Sequence, residues 1–315
     1  MNNFWQKLKK DKKNEPILAL APLAGFTDSA FRFICKEFGA DVVYSEMASV
    51  SALKYKPKKT LEMLKFDKRE RPYVVQLFGS DKNHFIEAVK FLEKNLQPDG
   101  IDINFGCPVK KVLKQGAGCK LMGDLKLSRQ IIQAVLDNTN IPLSIKVRTS
   151  AFSVNLIDFL KNISDLPVST LMIHGRSLKQ LFSGPIDLNL IKESRNYFSG
   201  IILANGGINN LAEAQDVYKK TGVDGVAFAR GVLGRPWVFS KDLQNVSGED
   251  KKILIIETAL RHLELIRENR GEVSFNEFKG HLAWYLKDFS GASNLRMKMM
   301  SAKSYQEIEN LLSLI

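Results

Sequence analysis

The sequence predicts an α/β protein: a closed (β/α)8 barrel followed by a small bundle of helices. Three observations carry that expectation. Eight short apolar or alternating runs recur between residues 17 and 229, mostly separated by stretches with helical periodicity. Several of these runs are almost continuously apolar, as strands buried on both faces of a parallel sheet are. The alternation stops near Asp242, and only helical periodicity follows. Residues 1–15 are therefore read as a basic N-terminal tail or a short surface helix, 16–243 as the barrel and 250–315 as a helical domain.

In order, the strand-like runs are Ile17–Pro22, Asp41–Glu46, Pro72–Phe78, Gly100–Phe105, Ile141–Arg148, Thr170–His174, Gly200–Asn205 and Asp224–Ala229. Between them, Ser29–Phe38 puts Phe31, Ile34, Cys35 and Phe38 on one helical face, and Lys82–Leu96 does the same with Phe85, Val89, Leu92 and Leu96. Leu127–Leu136 and Leu211–Tyr218 follow the same pattern. The connection after the second run is basic and irregular, and its helix is the least clear. A doubly wound open sheet is the competing topology. It would place a Gly-x-Gly-x-x-Gly turn after the first strand, and Ala21-Pro-Leu-Ala-Gly-Phe26 is not one. After the polar break Asn245–Asp250, apolar faces recur over Lys252–Arg270, Phe275–Phe289 and the stretch ending Ile308, Leu311 and Leu312.

A formal charge of +12 favours a polyanionic partner, nucleic acid above all. The cations cluster: Lys54, Lys56, Lys58 and Lys59 share a loop, Lys65, Lys68, Arg69 and Arg71 follow, and Lys110, Lys111 and Lys114 trail Cys107. No apolar run approaches bilayer length, and the first residues lack the apolar core of a signal peptide. The expectation is a cytoplasmic protein, off the membrane, with a monomer favoured. Cys35, Cys107 and Cys119 have neither the number nor the spacing of a disulfide framework or a zinc site, so no metal is expected.

Barrels of this kind carry their chemistry at the C-terminal ends of the strands. The polar residues there are informative because the apolar pattern does not require them. Strand one ends in Pro22, Leu23 and Ala24, and strand two near Ser45 and Glu46. Strand three carries Gln76, and strand four delivers Asn104 and Cys107. Lys146 and Arg148 come from strand five, His174 and Arg176 from strand six, Asn205, Gly206 and Gly207 from strand seven, and Ala229 and Arg230 from strand eight. Singly, each polar residue can be a satisfied neighbour inside the barrel, and a lone cysteine is most often a small packed hydrophobe. A buried Lys, His, Gln and Asn converging on one mouth must instead satisfy one another or a ligand. The glycines after strands seven and eight suit the usual barrel phosphate site. Gln76 can meet a ring edge, and Lys146 can stabilise negative charge on a reduced ring, a combination that suggests FMN. A Schiff-base lysine is the other reading of Lys146.

These residues resemble the tRNA-dihydrouridine synthase family. The matches are Ala21–Asp28, Ser45–Met47, Val75-Gln76, Asp102-Ile-Asn-Phe-Gly-Cys-Pro108, Lys146-Val-Arg148, Ile173–Arg176, Ala204–Gly206 and Gly231–Trp237, in order from residue 17 to about 240. Lys279, His281, Trp284 and Tyr285 extend the resemblance into the helical tail. The resemblance implies an FMN enzyme that reduces the C5=C6 bond of particular uridines in tRNA, with NADPH or NADH as electron donor. It implies that Pro22, Leu23, Ala24, Gln76, Lys146, His174, Asn205, Gly206, Gly207, Ala229 and Arg230 hold FMN. Cys107 is then the general acid, Asn104 and Arg176 lie near the target base, and Lys110 and Lys111 contact tRNA. Two positions depart from the family pattern: Ala229-Arg230 replaces Gly-Arg, and Asn205-Gly-Gly207 replaces Asn-Gly-Asp. Cys119 stands where the family seldom has a thiol and is read as packed. The competing functions are a flavin reductase of a free pyrimidine or other small enone, and a non-catalytic RNA-binding barrel.

Overall fold

The computed structural model describes residues 3–55, 58–271, 275–287, 289 and 292–313. Lys56 lies outside them. The barrel strands are β1 (Ile17–Leu20), β2 (Val42–Tyr44), β3 (Tyr73–Phe78), β4 (Gly100–Asn104), β5 (Leu143–Arg148), β6 (Thr170–His174), β7 (Ile201–Asn205) and β8 (Gly225–Phe228). Each pairs in parallel with its neighbours, β8 returns to β1, and β2 joins β3, so the sheet closes. The near-continuous apolar runs are explained: β1, β2, β6, β7 and β8 are buried at every position. One face fills the barrel and the other meets the surrounding helices, including Ser29–Glu37, Lys82–Asn95, Leu125–Leu136 and Leu211–Thr221. An Asp or Asn caps each of these helices at its N-terminus, at Asp28, Asp81, Asp124 and Asn210, accepting from a backbone N–H of the first turn.

The N-terminal segment is not a tail. Phe4–Lys12 is a helix capped by Asn3, and Trp5 is fully buried among the interior residues Ile17, Tyr44, Val74 and Ile201. The helix closes the N-terminal mouth of the barrel, and its lysines face outward, where Lys9 pairs with Asp224 and Lys12 with Asp41, both at 2.7 Å. The unclear connection after β2 holds two short helices, Val50–Lys54 and Lys58–Leu64, and a 3-10 turn, Lys68–Glu70. A buried ion pair anchors it, with Arg32 Nε donating to Glu70 Oε2 at 2.6 Å.

Beyond the polar break, helices run over Gly248–Arg270, Phe275–Tyr285, Ala292–Ser301 and Tyr305–Leu312. Their core is continuous with Ala30, Phe33 and Ile34 of the first barrel helix and with Trp237. At the seam, His281 Nε2 is 2.9 Å from Asp28 Oδ2, and His262 Nδ1 is 3.2 Å from the Tyr285 hydroxyl. The Asp28–His281 separation is that of a hydrogen bond, so this contact, beside the Phe31 ring, latches the helical domain to the barrel, while His262 and Tyr285 meet within the helical domain. No helix among the described residues is long and apolar enough to cross a membrane.

Candidate active site

A cavity of about 730 Å³ opens at the C-terminal ends of the strands, a size typical of sites for small ligands and cofactors. Cys107, Asn104, Gln76, Lys146, His174, Arg176, Ala229 and Arg230 line it, with Pro22, Leu23 and Ala24 on one side and Asn205, Gly206 and Gly207 on another. Lys110 and Lys111 do not. They are exposed on the short helix Lys110–Lys114 that follows the Cys107 turn.

The floor of the cavity is a directed chain of hydrogen bonds. Register sets it up, since Gln76 lies beside Asp102, Asp102 beside Ser144, and Asn104 beside Lys146 on adjacent strands. Asn104 Oδ1 accepts from the backbone N–H groups of Gly106 (3.0 Å) and Cys107 (2.9 Å), which folds the turn that presents the thiol. Asn104 Nδ2 donates to Gln76 Oε1 at 2.9 Å, and Gln76 Nε2 donates to Asp102 Oδ2 at 2.7 Å. The Ser144 hydroxyl donates to Asp102 Oδ1 at 2.7 Å. Burial raises the Asp102 carboxyl to about 6. Asn104 was expected to meet the target base; its amide is largely committed to the thiol turn and to Gln76.

Cys107 is half-buried, and desolvation holds its thiol above the usual value. The turn closes tightly: Cys119 N–H donates to the Cys107 carbonyl at 3.0 Å. A Cβ at Gly118, whose φ is +61°, would stand 2.6 Å from that carbonyl oxygen. Cys119 is buried, and burial pushes its thiol up to about 12, in keeping with a packed role. Arg148 ties the turn to the next loop, donating to the carbonyls of Gly106 (2.8 Å), Ser177 (3.0 Å) and Leu181 (2.7 Å).

The cavity is strongly cationic. Burial, with Arg148 nearby, lowers Lys146 to about 8. Burial and the charges of Lys146, Arg148, Arg176 and Arg230 lower His174 to about 2, so the imidazole is neutral. Neither Lys146 nor His174 has a side-chain hydrogen bond to another described residue, although both border the cavity. Gly206 has φ +115°, and a Cβ there would lie 2.6 Å from the His174 ring. An unpartnered ammonium, a neutral imidazole and the Gly206–Gly207 turn thus border a space suited to an anion-bearing group with a polar ring, and these residues fit FMN.

Several contributors escaped the sequence reading. Asp102 and Met47 were seen only as members of their motifs, although Met47 lines the cavity and Asp102 lies beneath it. Phe182, half exposed on the loop after β6, lies under the guanidinium groups of Arg148 and Arg230 at 5.5 Å and 4.9 Å from its ring centre. Trp284 and Tyr285 bring the helical domain into the cavity wall. Trp284 and Tyr285 belonged to the tail motif; Phe182 had no signal beyond an apolar residue in a Gly- and Ser-containing loop.

Fold and site together define a barrel enzyme with a cation-lined mouth, a neutral thiol and a helical domain forming part of the mouth wall. The family model described as "Dihydrouridine synthase (Dus)" matches residues 19–314. Over 303 residues the chain is 31% identical to the probable tRNA-dihydrouridine synthase 1 of Synechocystis sp., covering 93% of this chain and 84% of that one. Over 280 residues it is 33% identical to tRNA-dihydrouridine synthase B of Shewanella oneidensis, covering 85% and 86%. Among solved structures, histamine dehydrogenase from Rhizobium sp. 4-9 superposes with a TM-score of 0.58 at 11% identity, over 82% of this chain and 51% of that chain, a likeness of fold alone. The chain belongs to the dihydrouridine synthase family and is by class a tRNA-dihydrouridine synthase.

Proposed function

We propose that the chain reduces the C5=C6 bond of specific uridines in tRNA to 5,6-dihydrouridine, with FMN as cofactor and NADPH or NADH as electron donor. The observation that carries this reading is the convergence on one cavity of a neutral thiol, Cys107, with Gln76, Lys146, His174 and the Gly206 cradle. Pro22–Ala24, Gln76, Lys146, His174, Asn205–Gly207, Ala229 and Arg230 would hold FMN. The methyl group of Ala229 narrows the approach to the phosphate relative to the family's glycine. When bound, FMN supplies the hydride that adds to C6 of the uracil ring.

The chain's own residues do the rest. Hydride addition at C6 places negative charge toward C5 and O4, because C6 is conjugated to the C4 carbonyl. Cys107 gives its proton to C5. A thiol held above its ordinary value is protonated at neutral pH and acts as an acid without further tuning. Arg176, whose Nε donates to the Gly184 carbonyl at 2.7 Å, keeps its terminal N–H groups toward the cavity and can stabilise the enolate-like charge. The target base must leave its stack, at a cost of a few kcal/mol. Lys110, Lys111 and the helical domain contact the tRNA body through phosphates and shape.

The test uses the purified protein. Flavin absorbance and NADPH-dependent formation of dihydrouridine in unmodified tRNA are expected, with no turnover of free uracil or uridine. Turnover of the free base alone would move the chain to the small-enone reductases. A colourless protein that binds tRNA without converting it would leave an RNA-binding barrel.

A further inference from the structure

We propose that Asp102 is a positioning residue: its buried carboxylate fixes the amide of Gln76 and, through Asn104, the turn that carries Cys107. The hydrogen-bond chain beneath the cavity has a fixed polarity. Two backbone N–H groups, of Gly106 and Cys107, point at one atom of the Asn104 amide, so that atom is the oxygen. The other atom is then the Nδ2 that donates to Gln76. Gln76 must present oxygen to Asn104, and its Nε2 must therefore find an acceptor on the other side. Asp102 Oδ2 is that acceptor, at 2.7 Å, and Ser144 occupies the other oxygen. No link can flip without opposing two donors or two acceptors.

A fully buried carboxyl is costly unless its bonds are used. Asp102 lies within the barrel below the substrate space, so it does not touch the reacting atoms. What it sets is the side of Gln76 that meets a ring edge and the height of the Cys107 turn. Both ends of the reaction, the hydride source and the proton donor, are thereby held in one register by one buried group.

This rests on the flavin reading above, and the experiment separates the two. The wild-type protein is first checked for bound FMN and for reoxidation of the NADPH-reduced enzyme by tRNA; failure there ends the flavin reading before any variant is compared. Asp102→Leu removes the acceptor. It is expected to keep FMN and its reduction by NADPH, while reoxidation by tRNA slows on the order of 10²-fold, as small displacements of reacting groups do. Asp102→Asn keeps an acceptor for Gln76, and its Nδ2 can donate to Ser144, whose hydroxyl turns to the Ile101 carbonyl at 3.2 Å. It is expected to restore most of the tRNA-dependent rate while displacing the flavin absorption band. Wild-type reoxidation in Asp102→Leu overturns the proposal. So does a parallel loss of FMN, melting temperature and both half-reactions, the signature of a structural role. If Asp102→Leu does not fold, Asp102→Asn decides: an undisplaced band with wild-type rates overturns the proposal, and a displaced band supports it.

Discussion

Replacing Cys107 by Ala removes the proposed proton donor and little else, because the turn is held by backbone and Asn104 contacts that the side chain does not make. Even at the ordinary thiol value of about 8.5, about nine-tenths of the group is protonated at pH 7.5, and desolvation raises that share. A positioned general acid contributes about 10²- to 10⁴-fold, or about 3–5 kcal/mol of barrier. Rapid mixing under anaerobic conditions separates the two half-reactions. Reduction of the flavin by NADPH is expected to be unchanged in Cys107→Ala. Reoxidation by unmodified tRNA is expected to fall by about 10²- to 10⁴-fold. In the wild type, reoxidation should be flat through neutral pH and decline only in the alkaline range, where the raised thiol loses its proton. A wild-type reoxidation rate in Cys107→Ala refutes the reasoning, and so does a wild-type profile that rises with an inflection near neutrality, which marks a thiolate.

Acid should weaken the flavin-free protein. His262, lowered to about 4, and His174, lowered to about 2, are buried neutral, and their folded values lie below the unfolded one. The unfolded chain then binds more protons as pH falls through about 6.5, which costs about 1.4 kcal/mol per histidine at pH 5.5. Asp102, raised to about 6, works the other way and returns about 0.8 kcal/mol, leaving a net loss of about 2 kcal/mol. Denaturant titrations at pH 7.5 and pH 5.5 check this, and equal stability would contradict it. Lys110→Glu with Lys111→Glu should weaken tRNA binding and flatten the slope of log affinity against log salt by about 2, read by filter binding across salt concentrations; an unchanged slope makes these lysines a solvated face. Gly206→Ala should deplete FMN, since the new Cβ collides with His174 in a left-handed backbone conformation. A fully flavinated Gly206→Ala protein would show that the cradle lies elsewhere.

The barrel was legible because its strands are buried on both faces, and two-sided burial leaves an apolar run that no surface helix imitates. The cavity lining was legible for the opposite reason. Lys146, His174 and Gln76 are polar where the barrel interior has no use for polarity. Tail and short helix stayed undecided for the N-terminal segment because its lysines outnumber its apolar residues; it is a helix. The burial of Trp5 depends on the open barrel end beneath it, which local composition does not reveal. The connection after β2 was obscure because Arg32 and Glu70 hold it from positions 38 residues apart.

Asp102 shows where sequence reading stops in the site itself. In sequence it is one polar member of an alternating strand beside Asn104, and alternation alone gives both residues the same inward face. What separates them is cross-strand register. Asn104 stands one layer higher, at the level of the Cys107 turn, and Asp102 sits below, between Gln76 and Ser144. The same register places the Asn104 amide at the thiol turn. Its amide has two ends, one turned to the backbone of Gly106 and Cys107 and the other to Gln76. A residue chosen only to read uracil would leave both ends free. The layer below the thiol turn thus keeps the donor and acceptor pattern fixed, while Arg176 and the Phe182 ring line the same cavity without entering that chain.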